Sequence, residues 1–261
     1  MAELDGQVAI VTGAGRGIGR AIALELAQLG ADVVVAELSQ EAAAGTVAEL
    51  EELTGRRGLA LATDVTRAED RRAMVERTMQ KFGKIDVLVN NAGIYRTMSP
   101  LDVTEDHWDE VMDVNAKAVL MCAQAVLPTM QAARRGVIVN LASMAGKVPS
   151  PTGIVYAVSK AAVISMTRSL AAAFAADGIR VNCVCPGFID TEMWAQIDRE
   201  LGVARLGKQP GELIKERVAT VPIGRIGQPQ DVADVVGFLV SSKGAYMTGQ
   251  AVNVTGGLVM Y

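Results

Sequence analysis

The chain has 261 residues, of which half are apolar and 21% are charged, enough to bury one sizeable core as a single layered domain over residues 1–261. Its formal net charge of −4, with basic residues dispersed among acids, offers no electrostatic footprint for nucleic acid. The polar opening at residues 1–6 lacks a secretory profile and no apolar run approaches the roughly 20 residues that span a bilayer, so a cytoplasmic chain with no membrane partner is expected.

Unalternating apolar, β-branched runs predict strands at 8–11, 33–36, 59–62, 87–89, 137–141, 181–184 and 251–254. Between them, helical spacing predicts helices over about 18–29, 40–53, 67–82, 105–133, 155–176 and 230–240. Right-handed crossovers between such strands build an α/β fold, a doubly wound seven-stranded parallel sheet of the Rossmann type with helices on both faces. Its ligand crevice lies at the carboxyl ends of the strands.

Motifs follow those strand ends in order. After the first comes Thr12-Gly13-Ala14-Gly15-Arg16-Gly17-Ile18-Gly19, glycines that allow a tight turn and close backbone approach to a pyrophosphate at a helix start. No Gly-Lys-Ser/Thr follows, which excludes a Walker-type loop. Glu37 ends the second strand, where a carboxylate accepts from both ribose hydroxyls and repels a 2′-phosphate, favouring NAD over NADP. Arg16 is the counter-argument, since a guanidinium can pair with that phosphate. Asp64-Val65 follows the third strand, and the Asp64 carboxylate suits either an adenine amino group or a helix cap. His107, the sole histidine, lies in a polar run that reads as a helix start. Tyr156 and Lys160, four apart, share one helix face; an ammonium beside the phenol favours the phenolate and prepares Tyr156 for general acid–base work. Cys183 and Cys185 read as two buried strand positions, and with Cys122 as reduced thiols; no metal site is expected. A long insertion at about 188–222 carries Met193, Trp194 and Ile197 at helical spacing, an apolar face that either closes over a substrate or packs the lid against the body.

Together, the glycine-rich turn, Asn90-Asn91-Ala92-Gly93, Asn115 in Val114-Asn115-Ala116-Lys117, Ser143, Tyr156-Ala157-Val158-Ser159-Lys160 and Pro186-Gly187 resemble the short-chain dehydrogenase/reductase family along essentially the whole chain. The resemblance implies hydride transfer between a nicotinamide and a secondary alcohol or ketone. It assigns Ser143 to the substrate oxygen, Tyr156 to proton exchange, Lys160 to the tyrosine and the nicotinamide ribose, and Asn115 to a water that relays protons from Lys160. Asn91 and Gly93 would line the adenosine side, with Asn90 bracing the sheet, while Pro186, Gly187, Ile189 and Thr191 would seat the carboxamide. Gly13, Arg16, Gly17, Ile18, Gly19, Glu37, Asp64 and Val65 complete the expected cofactor set. Met193 and Trp194 would meet the substrate.

The run from Thr191 to Arg199 is similar to the acetoin reductase/2,3-butanediol dehydrogenase and polyol (sorbitol or galactitol) dehydrogenase branch, which implies a small diol or polyol substrate. An alternative with the same catalytic set is a 3-oxoacyl-[acyl-carrier-protein] reductase using NADPH, with Arg134, Arg135 and Arg168 as a docking patch for an acidic carrier. From another class, a dinucleotide-reading sensor would have lost the tyrosine or lysine, and both are present. The family likeness further implies a homotetramer built on the two longest helices.

Overall fold

The structure is a computed structural model that describes residues 2–261. Seven strands form one parallel sheet: β1 (Val8–Thr12), β2 (Asp32–Glu37), β3 (Gly58–Ala62), β4 (Val87–Asn90), β5 (Gly136–Leu141), β6 (Ile179–Pro186) and β7 (Ala251–Val254), in the order β3-β2-β1-β4-β5-β6-β7. Because β1 pairs with both β2 and β4, the direction of winding reverses beside it, opening a crevice at its carboxyl end. The expected fold is the observed one.

The helices are α1 (Gly17–Gln28), α2 (Gln40–Thr54), α3 (Ala68–Phe82), α4 (Glu105–Met112), α5 (Ala118–Ala133), α6 (Ile154–Phe174), α7 (Glu192–Ile197), α8 (Glu212–Ala219) and α9 (Pro229–Val240). Successive residues of β1 face opposite layers: Ala9 and Val11 pack with Ile22 and Leu26 of α1 and Val236 of α9, and Ile10 packs with Cys122 and Val126 of α5. That two-sided burial is why the strands lack polar alternation. Cys183 and Cys185 are fully buried positions of β6, and Cys122 is a buried free thiol in α5.

Two helical spans depart from expectation. Residues 105–133 are not one helix: a π-helical turn at Asp113–Lys117 separates α4 from α5. Apolar spacing tolerates one residue added to a turn, so periodicity is blind to it. Moreover, Glu105–Ala133 and Ile154–Asp177 each reach a mean hydropathy of 1.2, which matches a membrane-crossing helix in length and composition. Alanine-rich faces against the sheet account for it, since 50% and 44% of these windows are buried inside the domain. The insertion at 188–222 holds α7, a second π-helical turn (Asp198–Val203) and α8, assembled on a small cluster of Ile197, Leu201 and Leu213.

Candidate active site

The glycine turn is shaped by Thr12 and Asn91. Thr12 Oγ1 accepts from the backbone N–H groups of Asn91 (3.0 Å) and Ala92 (3.1 Å), while Asn91 Nδ2 donates to the carbonyls of Thr12 (2.9 Å) and Gly13 (2.8 Å). The turn folds so closely onto the start of α1 that a methyl added at Gly19 would lie 2.2 Å from the Gly13 carbonyl oxygen and 2.4 Å from Asn91 Nδ2. Only glycine fits there. Gly17 is different: it has φ +54, and a methyl there would meet nothing nearer than Thr191 Cγ2 at 3.6 Å, so it opens onto the cleft. Helix α1 starts at Gly17 with no side-chain cap and no acidic residue in its first turn. Its leading N–H groups and positive dipole end therefore meet the cleft bare, an arrangement that fits the pyrophosphate of a dinucleotide.

The cleft encloses about 500 Å³. It runs from Glu37, Asp64 and Val65 past Gly13, Arg16, Gly17, Ile18 and Gly19, continues along Asn91 and Gly93, and ends at Tyr95 beneath Thr191 and Met193 of the lid. Glu37 is held in place before any ligand arrives: Oε2 accepts from Gly15 N (3.1 Å) and Oε1 from Leu38 N (2.8 Å). Asp64 Oδ1 accepts from Thr66 N (2.9 Å) and Thr66 Oγ1 (2.6 Å), a local turn before α3, whose N-cap is Arg67 with no side-chain cap. Arg16 reaches across the cleft mouth and pairs with Glu192 of α7 at 2.5 Å.

Beyond Gly93 lies the second half of the site. A methyl on Gly93 would come within 3.3 Å of Asn115 Oδ1 and 3.5 Å of Lys160 Nζ, which places both beside the cleft floor. Asn115 is fully buried at the centre of the π turn: Oδ1 accepts from Ile94 N (2.8 Å), and Nδ2 donates to Ile94 O (2.9 Å) and Ser159 Oγ (3.2 Å). Both amide protons are spent, so the side chain ties the extension of β4 to α6. Asn115→Ala is expected to lower unfolding stability by about 2–4 kcal/mol in urea titration, because the freed Ile94 and Ser159 groups stay buried. An unchanged midpoint would refute that bracing role.

Ser143, just past β5, is 8% exposed, and its Oγ accepts from Ala145 N at 3.1 Å in the short turn that follows. Lys160 is 4% exposed, and its Nζ donates to the Leu141 carbonyl at 2.7 Å. The same ammonium lies 5.6 Å from the centre of the Tyr156 ring. Burial holds Lys160 down to about 8 and pushes the Tyr156 phenol up to about 12, with the Ser143 side chain acting to lower the latter. Lys160 is near the phenol, but desolvation dominates both groups, and the ammonium is directed at a carbonyl.

Asn90 braces the sheet as expected, its Nδ2 donating to Asn140 Oδ1 at 2.9 Å. Asn91 is first a support for the glycine turn, although it also lines the cleft. Pro186 ends β6; Gly187 crosses the chain at Thr255, where a methyl would lie 2.9 Å from Cα; and Ile189 is buried in the core, 3% exposed. Thr191, further along this segment, lines the cleft. Trp194, expected against the substrate, packs edge-on to Phe188 at 4.8 Å between ring centres and thereby serves the lid itself. Thr104 caps α4 by accepting from His107 N at 3.1 Å, which accounts for the polar run around the histidine. Sequence reasoning missed Thr12, Glu192 and Tyr95. The Tyr95 ring stands 5.0 Å from that of Tyr156 and packs on the lid cluster; an aromatic two residues after Gly93 was the available signal.

A bare helix start, a carboxylate held at the end of β2 and a Ser143, Tyr156 and Lys160 group in which the serine and lysine are buried fit a dinucleotide-dependent oxidoreductase acting on CH–OH groups. A family model described as enoyl-(acyl carrier protein) reductase matches residues 13–259. The chain is 41% identical over 253 residues to the Staphylococcus aureus 3-oxoacyl-[acyl-carrier-protein] reductase FabG, covering 97% of this chain and 98% of that one. Among solved structures it is similar to 7α-hydroxysteroid dehydrogenase complexed with NADH and 7-oxo glycochenodeoxycholic acid (34% identity, TM-score 0.91, 100% and 97% of the two chains). NAD+-bound xylitol dehydrogenase is similar too (32% identity, TM-score 0.92, 98% and 100%). The chain belongs to the short-chain dehydrogenase/reductase family.

Proposed function

We propose that this enzyme reduces the ketone of a 3-oxoacyl thioester, and oxidises the corresponding alcohol in reverse, with NAD(H) as its preferred dinucleotide. The observation that carries the chemistry is the meeting of Ser143, Tyr156 and Lys160 beside Gly93, where the dinucleotide cleft ends. When bound there, the nicotinamide supplies or accepts the hydride. Ser143 holds the substrate oxygen and stabilises charge developing on it. Tyr156 gives that oxygen a proton in reduction and removes one in oxidation. Lys160 supports the charged form of the phenol and binds the nearby ribose, and Asn115 keeps Gly93–Ile94 in place. Tyr95 and Met193, rather than Trp194, form the apolar wall over the substrate.

The 3-oxoacyl substrate class is supported by relatives at about two-fifths identity over nearly the whole chain. Glu37, poised to meet ribose hydroxyls and to repel a 2′-phosphate, supports NAD(H). It also favours a second reading, a small diol or polyol of the acetoin/2,3-butanediol or sorbitol type, in keeping with the cofactor named for the xylitol enzyme. Of the expected carrier patch, Arg168 is exposed on α6, whereas Arg134 and Arg135 are paired with Asp177 and Asp86 and precede β5, with Ser143 following it. A strand of six residues separates those ends by roughly 20 Å. Partly exposed Trp108, Ile154 and Val158 on the two longest helical spans suit a homotetramer, and three free thiols suit a cytoplasmic setting.

One absorbance screen at 340 nm tests the reading: NADH and NADPH with a 3-oxoacyl thioester and acetoin, and NAD+ and NADP+ with 2,3-butanediol, sorbitol and galactitol. The expected result is fastest turnover with NADH and the thioester. Fastest turnover on acetoin or a polyol would replace the substrate reading with the second, and preference for NADPH throughout would overturn the cofactor.

A further inference from the structure

An ion pair crosses the mouth of the cofactor cleft. Arg16 stands immediately before α1 and belongs to the glycine turn; Glu192 is the first residue of α7 and belongs to the lid. Their side chains, separated by 176 positions in sequence, meet at 2.5 Å, and both line the cleft. On the other side of Arg16, the neighbouring Gly15 N–H is held by Glu37, the carboxylate expected to meet the adenosine ribose. Arg16 is therefore the cation of the turn closest in sequence to the position a 2′-phosphate would take. Its guanidinium is engaged by the lid carboxylate, while the Glu37 carboxylate is fixed on the adjoining Gly15 N–H.

We propose that Glu192 is a cofactor-specificity residue acting through Arg16: by engaging the guanidinium from the lid side, it withholds from a 2′-phosphate the one turn residue able to neutralise it. The inference rests on the NAD(H) reading above and assigns part of that selectivity to the lid, so discrimination is divided between direct repulsion by Glu37 and sequestration of Arg16 by Glu192. The physical basis is competition for one planar fork. Arg16 presents paired N–H donors suited to either a carboxylate or a phosphate, and the donor spent on Glu192 is lost to the second anion. Because the pair is well exposed, with side-chain exposures of 75% and 64%, its contribution is modest, and removing it leaves folding intact.

The test is direct binding, read by quenching of intrinsic fluorescence or by calorimetry, with NADH and NADPH titrated into the wild type, Glu192→Gln, Arg16→Ala and the double variant. The neutral glutamine keeps the size of the side chain and releases the guanidinium. Glu192→Gln is expected to tighten NADPH by roughly 2- to 5-fold relative to NADH, the range of one exposed charge-assisted contact. In the Arg16→Ala background the same substitution should leave the NADPH/NADH ratio of dissociation constants unchanged. A merely structural latch would shift both dinucleotides together, and an equal shift would overturn the proposal. So would a ratio that moves just as far without Arg16. Wild type that binds NADPH more tightly than NADH would instead defeat the NAD(H) reading itself, an outcome visible before any variant is compared.

Discussion

Tyr156→Phe is expected to lower kcat by about 100- to 10,000-fold in both directions while leaving NADH affinity essentially unchanged, because the variant removes the proton donor and keeps the ring. The ring also has a structural role, packing edge-on to Tyr95 at 5.0 Å, and phenylalanine preserves that contact. Stopped-flow single turnovers with the dinucleotide prebound separate the chemical step from binding. Turnover within a few-fold of wild type would remove Tyr156 from the mechanism. The same variant has a signature in stability. Burial raises the folded phenol from 10.0 to about 12, so the folded state keeps its proton where the unfolded chain releases one. Wild-type stability contributed by this group is complete below pH 10 and is lost as pH rises toward 12; in the phenylalanine variant that alkaline loss should be reduced.

Lys160→Met should abolish turnover and yet stabilise the fold at neutral pH. The lysine is held down from 10.5 to about 8 by burial, which means that below pH 8 the folded protein carries an ammonium with little access to water. Replacing it with an apolar chain of similar length removes that cost, offset by the lost hydrogen bond to the Leu141 carbonyl, and a net gain of about 1–3 kcal/mol at pH 7 is expected. The pH dependence gives the sign. From pH 8 to 10.5 the unfolded chain holds a proton that the folded chain has released, so wild-type stability rises through this window, until Tyr156 begins to oppose it at pH 10. Urea titrations between pH 7 and 10 should show that rise in the wild type and a flatter profile in the variant. A methionine variant less stable than wild type at pH 7, with the slope retained, would show that Lys160 carries no burial cost. The pairing of lost turnover with gained stability marks a residue kept for chemistry rather than for folding.

The strand and helix periods, and the position of each motif just after a strand, are local properties of the chain, and they determined the α/β class, the sheet and the cleft residues around the glycine turn. Strands buried on both faces read as continuous apolar runs, and a glycine turn between strand and helix has few other uses, so neither needs contacts from afar to be recognised. Family motifs likewise grouped Ser143, Tyr156, Lys160 and Asn115 without any knowledge of their contacts. What the tertiary structure alone decided depends on surroundings. The π turn around Asn115 arises because a buried amide must satisfy Ile94 and Ser159 on other segments. The upward shift of the Tyr156 phenol reflects desolvation by its neighbours, a quantity that four-residue spacing does not contain. Tyr95 joins the site and Trp194 packs on Phe188 in a lid with its own small core, and the Arg16–Glu192 pair joins residues that only folding makes neighbours. Local pattern sets which elements form; distance, burial and charge between elements set what they can do.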